Sequence, residues 1–219
     1  MNDIFLKWNK WIDIIREEIT NLSVNRHIFR EVQEIIKSNE KIQKPNSFYE
    51  YFGNTYAISV VMGIRRQVKI DKQSISFAGL LKQISEKPKI ISYVWYVSLY
   101  GRDKWSRERG EKDFKRFADK SGCYINIDMV KDDLKKLKAK AEKCEQYSDM
   151  RIAHFDKRAL KNVLTFKDID DCIDFLEEIL KKYYLIFRAD MLLSVLPTWQ
   201  YDWKEIFTES WIQKLDNIV

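Results

Sequence analysis

The sequence predicts an all-α fold, and three observations lead to that prediction. Only six glycines and three prolines occur among 219 residues, too few for a protein built from many tight turns. Several stretches repeat apolar residues at spacings of three and four, the period of an amphipathic helix. Charged residues make up 33% of the chain, as expected for helices that each keep one solvated face.

The chain is predicted to form one domain, because no linker rich in proline, glycine or serine divides it. Within a single domain over residues 1–219, we expect an N-terminal helical pair at 1–45, a core at 46–189 and an aromatic-rich tail at 190–219. The net charge of +6 is compatible with a polyanionic partner such as RNA. Many basic proteins bind nothing acidic, so the charge alone favours neither interpretation.

The three cysteines indicate structural thiols rather than a metal centre. Cys123, Cys144 and Cys172 are widely spaced, and two histidines are too few to complete an ordinary Cys/His zinc site. Reduced thiols in a cytoplasmic protein are the simplest interpretation. A glycine-rich phosphate loop, a His-Glu-x-x-His motif and a nucleophile elbow are all missing from the sequence, so we predict no cofactor and no metal.

No membrane segment is expected. The first residues are already charged and periodic, which differs from a signal peptide. No uncharged run approaches the roughly 20 residues that a membrane-spanning helix needs. We therefore expect a cytoplasmic protein without a membrane partner.

Two helices are predicted at the N-terminal end. The first covers about residues 2–22, and Ser23 or Asn25 is placed to cap a second that reaches about residue 39. We interpret His27, in the first turn of the second helix, as a surface or packing residue. The apolar seam of the first helix consists of Phe5, Trp8, Ile12, Ile15, Ile19 and Leu22.

A third helix is predicted over 48–70, and its small residues suggest close contact with another helix. Gly53 and Gly63 each cost up to about 1 kcal/mol relative to alanine in a helix, so close packing is expected to compensate. Its last turns carry Arg65 and Arg66, cations that the helix dipole favours at that end.

The middle of the chain is predicted to be helical throughout. A short helix is expected over 77–85, and residues 90–97 are assigned to a buried helix because no second strand lies nearby. A basic surface helix follows over about 106–120, anchored by Phe114 and Phe117.

The next helix is expected to begin at a cap formed by Asp128. Its apolar stripe leads into Ser148 and Arg151, so its polar end points towards a packed partner within the chain or on another subunit. The stripe consists of Leu134, Leu137, Ala141, Cys144, Ser148 and Arg151.

The last helix is the clearest, since Thr165 and Asp168 form a capping box before it. The helix reaches about Ala189. Its core face consists of Ile169, Ile173, Leu176, Leu180, Tyr183 and Phe187. The tail then carries five aromatics, Trp199, Tyr201, Trp203, Phe207 and Trp211, interpreted as core or subunit contacts. Base stacking is disfavoured because only Lys204 is basic among them.

The stretch over residues 146–158 holds the candidate chemistry. Tyr147, Arg151 and His154 stand at i, i+4 and i+7, so on an α-helix they share one face. A histidine beside an arginine can transfer protons next to a fixed positive charge, which suits phosphate chemistry. The simpler alternative is that a single histidine at a helix end caps or packs.

Two stretches together carry a family pattern. Residues 51–81 contain Tyr56-Ala57, Arg65-Arg66, Asp71 and the helix start Ser74-Ile75-Ser76-Phe77-Ala78-Gly79-Leu80-Leu81. Residues 149–157 read Asp-Met-Arg-Ile-Ala-His-Phe-Asp-Lys. In this order they resemble the HEPN superfamily, in its abortive-infection U-type branch, over roughly residues 51–187.

The resemblance implies an up-and-down helical bundle of the HEPN type, with additional helices and the aromatic tail, that is usually a homodimer. In active relatives the Arg and His of each chain face those of the other, and the pair cleaves RNA without metal. An endoribonuclease of a toxin or phage-defence system, paired with an antitoxin protein, is therefore one expectation. The resemblance also implies a catalytic centre at His154 with Arg151.

The other site residues would support that centre. Asp149 or Asp156 would orient the imidazole, with Tyr147 beside it. Nucleic acid would be bound by Arg65, Arg66 and Lys157.

The sequence departs from the family pattern in the spacing of its arginine. The family's arginine lies four to six residues before the histidine, where this chain has Ser148, Asp149 and Met150. Either Arg151 substitutes, or Arg65 or Arg66 supplies the cation, or the nuclease activity is lost. The alternatives to a nuclease are a non-catalytic module that binds RNA, nucleotide or a partner protein, and a structural bundle without a ligand.

Overall fold

The computed structural model of the chain describes residues 3–154, 157 and 163–211. These residues form seven α-helices with short 3₁₀ and π segments and no β-strand, which confirms the all-α prediction. The helices are α1 (Asp3–Ser38), α2 (Ser47–Val68), α3 (Phe77–Glu86), α4 (Tyr93–Val97), α5 (Lys104–Lys115), α6 (Ile127–Tyr147) and α7 (Phe166–Arg188).

Five of these helices pack around one apolar core. Helix α6 contacts α2, α3 and α7, while α1 lies against α2 and α7. Helices α4 and α5 pack on each other beside this bundle. Within the described ranges, no helix is both long enough and apolar enough to cross a bilayer.

The predicted N-terminal helical pair is wrong, because α1 runs unbroken over 36 residues. Ser23, predicted as a possible cap, instead lies 2.9 Å from the Ile19 carbonyl one turn earlier and 2.6 Å from the Glu177 carboxylate. Its hydroxyl is thus satisfied inside a continuous helix. Arg26, three residues later, binds Glu177 at 2.8 Å and so ties the same stretch to α7. The seam predicted for the first helix is buried throughout.

Three other helix starts differ from the sequence prediction. Asn126, not Asp128, caps α6, because its side chain accepts from the backbone N–H groups of Asp128 and Met129. Asp103 caps α5 two residues earlier than expected, and α5 ends at Lys115. The predicted helix at 90–97 forms only over α4, after a 3₁₀ turn at Pro88–Ile90.

The capping box before α7 is confirmed. The Thr165 side chain accepts from the Asp168 backbone N–H, and the Asp168 carboxylate accepts from the Thr165 backbone N–H at 2.9 Å. Lys143 of α6 donates to the same carboxylate at 2.6 Å. The α7 N-terminus is therefore fixed to α6, and the predicted core face of α7 is buried.

The contact between α1 and α2 depends on a residue without a side chain. A Cβ placed on Gly63 would lie 2.6 Å from Leu22 Cδ2 and 3.4 Å from its Cγ. At Gly53 the nearest atom would be Phe166 Cζ at 3.9 Å, an ordinary contact. The predicted close approach is thus made at Gly63.

These two glycines are expected to respond oppositely to alanine. Gly63→Ala should lower the free energy of unfolding by about 1 kcal/mol, since overpacking outweighs the gain in helix propensity. Gly53→Ala should raise it by about 0.5–1 kcal/mol, because it gains the propensity alone. Urea denaturation measures both, and equal changes would contradict the close contact with Leu22.

The Asp168 carboxylate gives the fold a specific pH dependence. Its pKa is lowered to about 2, first by the hydrogen bond from Lys143 and then by Thr165. Since this lies below the ordinary value of about 3.9, the stabilisation is complete above pH 4 and is lost as the pH falls through about 2. At neutral pH, Asp168→Asn should cost about 1 kcal/mol, typical of a cap residue.

Denaturation of both proteins across this pH range tests the expectation. The stability difference between wild type and Asp168→Asn should shrink as the solution is acidified below pH 4. Asp171→Asn, which removes a more exposed pair with Lys167, serves as the control and should change stability by less than about 0.5 kcal/mol. A difference for Asp168→Asn that is constant with pH would show that Asp168 acts only as a neutral cap.

Candidate functional site

The candidate site begins where α6 changes its helical period. After Tyr147 the chain forms a π-helical turn over Ser148–Ile152, in which the Ala153 N–H donates to the Ser148 carbonyl at 2.8 Å. Single π turns are rare in proteins and frequent at functional sites. The α-helical period that placed Tyr147, Arg151 and His154 on one face therefore applies only up to Tyr147.

Helix α2 meets this π turn through Arg65. The Arg65 guanidinium donates to Ser148 Oγ at 3.2 Å and binds Asp149 Oδ1 at 2.6 Å. The Ser148 hydroxyl, which is fully buried, lies 3.2 Å from Met62 Sδ and can donate to it. A buried hydroxyl needs such partners, and a charged donor is the stronger kind. Arg65 thus joins α2 to the first two residues of the turn.

Arg65 is more buried than its partner Asp149. The Arg65 side chain is 21% exposed, whereas the Asp149 side chain is 59% exposed. The cation is therefore held in place by the protein, while its carboxylate partner lies at the surface. The pair occupies the open side of the junction between α2 and the π turn.

The predicted basic pair is divided between two neighbours. Arg66 points away from the π turn and binds the Glu18 carboxylate of α1 through Nε at 3.1 Å and through a terminal nitrogen at 2.8 Å. Its side chain is 60% exposed. Of the two arginines, Arg65 is the one that reaches the candidate site.

The remaining predicted residues lie along the turn and beyond it. Arg151 is half-buried, and its guanidinium donates to the adjacent Met150 carbonyl at 3.0 Å. His154 is exposed, two residues after the π turn ends. Tyr147 is half-buried and packs against the core, and Lys157 is exposed.

The sequence predicts that the carboxylate of Asp149 or of Asp156 orients the His154 imidazole. Asp156 lies outside the residues that the structure describes. Asp149 lies within them, and its carboxylate is placed against Arg65. That role therefore stays a prediction for both residues.

Sequence reasoning missed the contribution of Met62. No sequence motif identifies a methionine as a hydrogen-bond acceptor, so the contact of Met62 with Ser148 is seen only in the folded structure. The burial of Ser148 did have a signal, because the residue continues the apolar stripe of Ala141 and Cys144. A serine on a buried stripe requires a polar partner, although the sequence does not say which one.

The three cysteines are free thiols in the part of the chain that the structure describes. Cys144 and Cys172 are free, buried thiols on α6 and α7, and Cys123 is free and exposed. The pKa of the Cys172 thiol is raised mainly by a hydrogen bond with Cys144 and, second, by burial. The Cys172 thiol therefore stays protonated. Among the residues the structure describes, no cluster of three or more His, Cys, Asp or Glu side chains has metal-binding geometry.

Comparison with known families gives one match. A family model described as AbiU2, of the HEPN type, covers residues 5–210. The chain belongs to the AbiU2 family of HEPN domains. No curated protein and no solved structure gives a significant match.

Family membership confirms the resemblance and extends it. The match includes α1 and the aromatic tail as far as Ser210, beyond the 51–187 region that carried the sequence pattern. The chain is thus an abortive-infection-related HEPN module, and the family match runs from within α1 into the aromatic tail.

The packing of Arg65 in this HEPN domain predicts unequal effects for the two neighbouring arginines. Arg65→Ala should lower the free energy of unfolding by about 1–3 kcal/mol, since it removes the charged donor from the buried Ser148 hydroxyl. Arg66→Ala is the matched control and should cost less than about 1 kcal/mol, because its pair with Glu18 is solvent-exposed. Chemical denaturation measures the free energy of unfolding of both variants. Equal losses of stability would contradict the proposed dependence of the buried Ser148 hydroxyl on Arg65.

Proposed function

We propose that this AbiU2-family HEPN domain is a metal-independent endoribonuclease of a phage-defence or toxin system. In this proposal His154 is the proton-transfer group and Arg65 the phosphate-binding cation. The supporting observation is that the Arg65 guanidinium lies 3.2 Å from Ser148 Oγ, at the first of the three positions where the family pattern has its arginine. A cation from α2 thus lies beside a position where the family pattern has its arginine.

The proposed reaction is a transesterification within the RNA. Neutral His154 accepts the proton of a ribose 2′-hydroxyl, and the 2′-oxygen attacks the adjacent phosphorus. The bond from phosphorus to the 5′-oxygen breaks, and a protonated histidine returns a proton to that leaving oxygen. The products are a 2′,3′-cyclic phosphate and a 5′-hydroxyl, so the step needs neither metal nor oxidant.

Arg65 would stabilise the charge that develops on the phosphate oxygens. Its guanidinium can offer two parallel N–H donors to a phosphate, a geometry that lysine lacks. An incoming phosphate must displace Asp149, whose side chain is 59% exposed. Because the carboxylate end of this pair is solvated, a phosphodiester can approach from the solvent and take its place against Arg65.

Arg151 is assigned a supporting role in this proposal. Its half-buried guanidinium donates to the carbonyl of its own neighbour, Met150. Arg66 and Lys157 would add attraction for the RNA backbone as exposed cations.

A homodimer is part of the proposal, because the second protomer would supply the acid that protonates the leaving oxygen. An antitoxin protein that covers the site is the expected further partner of a toxin. Light scattering of the purified chain measures the oligomeric state, and a strict monomer at working concentration would remove the two-protomer site.

Cleavage of a labelled mixed RNA in EDTA tests the nuclease directly. Wild type should cleave, and His154→Ala should lose at least about 100-fold in rate, the usual contribution of an acid–base group. Arg65→Ala should lose a similar factor through weaker transition-state stabilisation. His27→Ala is the matched control, since His27 is the other histidine of the chain and stacks on Trp199.

Further outcomes of the cleavage assay distinguish the proposed mechanism from its alternatives. RNA with 2′-deoxyribose at the cleaved position should resist the enzyme. Unchanged cleavage by His154→Ala would overturn the assignment of that residue. RNA binding without cleavage by a folded dimer would favour the second candidate, a non-catalytic HEPN module, for which the neutralisation of Arg65 by Asp149 is the supporting observation.

A further inference from the structure

The aromatic tail forms a defined surface that the proposed nuclease does not use. After α7 the chain turns at Ala189, which has a left-handed backbone with φ of 52°, and Val195 returns to the core. The Trp199 ring then stacks on His27 of α1, with 5.9 Å between ring centroids. Lys204 forms an ion pair with Glu31 one turn along α1. The tail is therefore fixed to α1 by ring stacking and by charge.

The rings continue outward from His27 as a ladder. Each contacts the next, with centroid separations of 6.1 Å for Trp199–Trp203, 6.3 Å for Trp203–Phe207 and 6.2 Å for Phe207–Trp211. The Trp211 indole N–H donates to the Ile206 carbonyl at 2.8 Å. We call His27, Trp199, Trp203, Phe207 and Trp211 the aromatic ladder.

The outer end of the ladder is unusually exposed for such apolar groups. Trp211 is 67% exposed, Tyr201 71% and Ile206 53%. Exposed apolar side chains on a fixed segment often mark an interaction surface, and tryptophan and tyrosine are enriched among the residues that contribute most to binding. Folding alone gives no reason to hold these rings in water.

The charge around the ladder decides which kind of partner fits. Asp202, Glu205 and Glu209 are exposed beside the rings, and the only basic residue over 199–211 is Lys204, which Glu31 already binds. The tail is thus acidic in a chain whose net charge is +6. An RNA backbone would be repelled here, whereas cationic side chains would be attracted.

The ladder also has the chemistry to bind cations on its faces. The Lys204 ammonium lies 5.7 Å from the centroid of the Trp203 ring, within the range of a cation–π contact. The same arrangement is open to an external cation at Trp211 and Tyr201. The carboxylates of Glu205 and Glu209 could form ion pairs with such an external cationic group.

We propose that the outer end of the aromatic ladder binds a lysine- and arginine-rich segment of a partner protein. Guanidinium or ammonium groups of that segment lie over the Trp211 and Tyr201 rings and pair with Glu205 and Glu209. The surface is separate from the junction of Arg65 and Ser148, so this binding does not depend on nuclease activity.

Fluorescence anisotropy of a labelled oligoarginine peptide with the full chain tests the proposal. Wild type should bind, and binding should weaken at higher salt. The Glu205→Gln/Glu209→Gln and Tyr201→Ala/Trp211→Ala double variants should each lose about five- to tenfold in affinity, the sum of two exposed ion pairs or two cation–π contacts. His154→Ala should bind as wild type does, which separates this surface from the nuclease proposal.

Trp105→Ala provides the matched control. Trp105 is 81% exposed and lies on α5, outside the aromatic ladder, so its removal tests whether any exposed indole suffices. Its affinity should equal that of wild type. Equal affinity in all variants, or no binding by wild type, would overturn the proposal. Binding of labelled oligouridylate that is lost in Tyr201→Ala/Trp211→Ala but kept in the carboxylate variant would instead identify a base-stacking surface and overturn it too.

Circular dichroism of each variant excludes unfolding as the cause of lost affinity. The four substituted tail residues are all exposed, so the variants should keep the helical spectrum of wild type. Trp199 and Trp203 are left intact because they pack on His27 and hold the tail to α1.

Discussion

The burial of the apolar seam of α1 against α2 and α7 is the interaction on which the rest of the structure depends. Trp8, Ile12, Ile15 and Ile19 are fully buried in it. Each such side chain contributes about 1.5–3 kcal/mol on burial, whereas the ion pairs beside the seam contribute about 0–1 kcal/mol each. The seam therefore holds the helices together, and the charges around it select their register. Arg26, which binds Asp174 and Glu177 of α7, is the clearest of those charges.

The sequence predicted most of this architecture because amphipathic period is a strong local signal. The seam of α1, the core face of α7 and the capping box at Thr165 all follow from residues close together in the chain. The predicted break at Ser23 is wrong, since a serine within a helix and a serine before one look alike in sequence. The hydroxyl has two partners in the helical conformation, the Ile19 carbonyl one turn earlier and the Glu177 carboxylate, which is more than 150 residues away and cannot be found from local sequence.

The candidate site was less predictable, for a related reason. Its position near residues 148–154 could be found from a short pattern, and Arg65 was among the residues named. The pairing of Arg65 with Ser148 and Asp149 depends on how α2 crosses the end of α6, which no local pattern records. The same limit applies to Met62. Sequence reasoning supplied the candidates, and the packing of α2 against the end of α6 shows which of them are in contact.

Under the proposed function, Arg65 supplies the cation that the family pattern carries on the later segment. The structure supports this proposal by the contact of the Arg65 guanidinium with Ser148 and Asp149 of the π turn. Charge at a site can therefore be kept while the residue that carries it moves to a different helix. A bound phosphate depends on where the guanidinium lies in space and not on where its residue lies in the chain.

The π turn at Ser148–Ile152 has a consequence for how such chains are compared. A π turn accommodates one more residue than an α turn, and one residue corresponds to about 100° of rotation around a helix axis. His154 therefore faces a direction that an unbroken α6 would not give it. Counting residues between an arginine and a histidine then measures neither their separation nor their relative orientation. In this chain, the residue that the π turn adds rotates the stretch that follows it, so spacing in the sequence alone does not determine how Arg151 and His154 face each other.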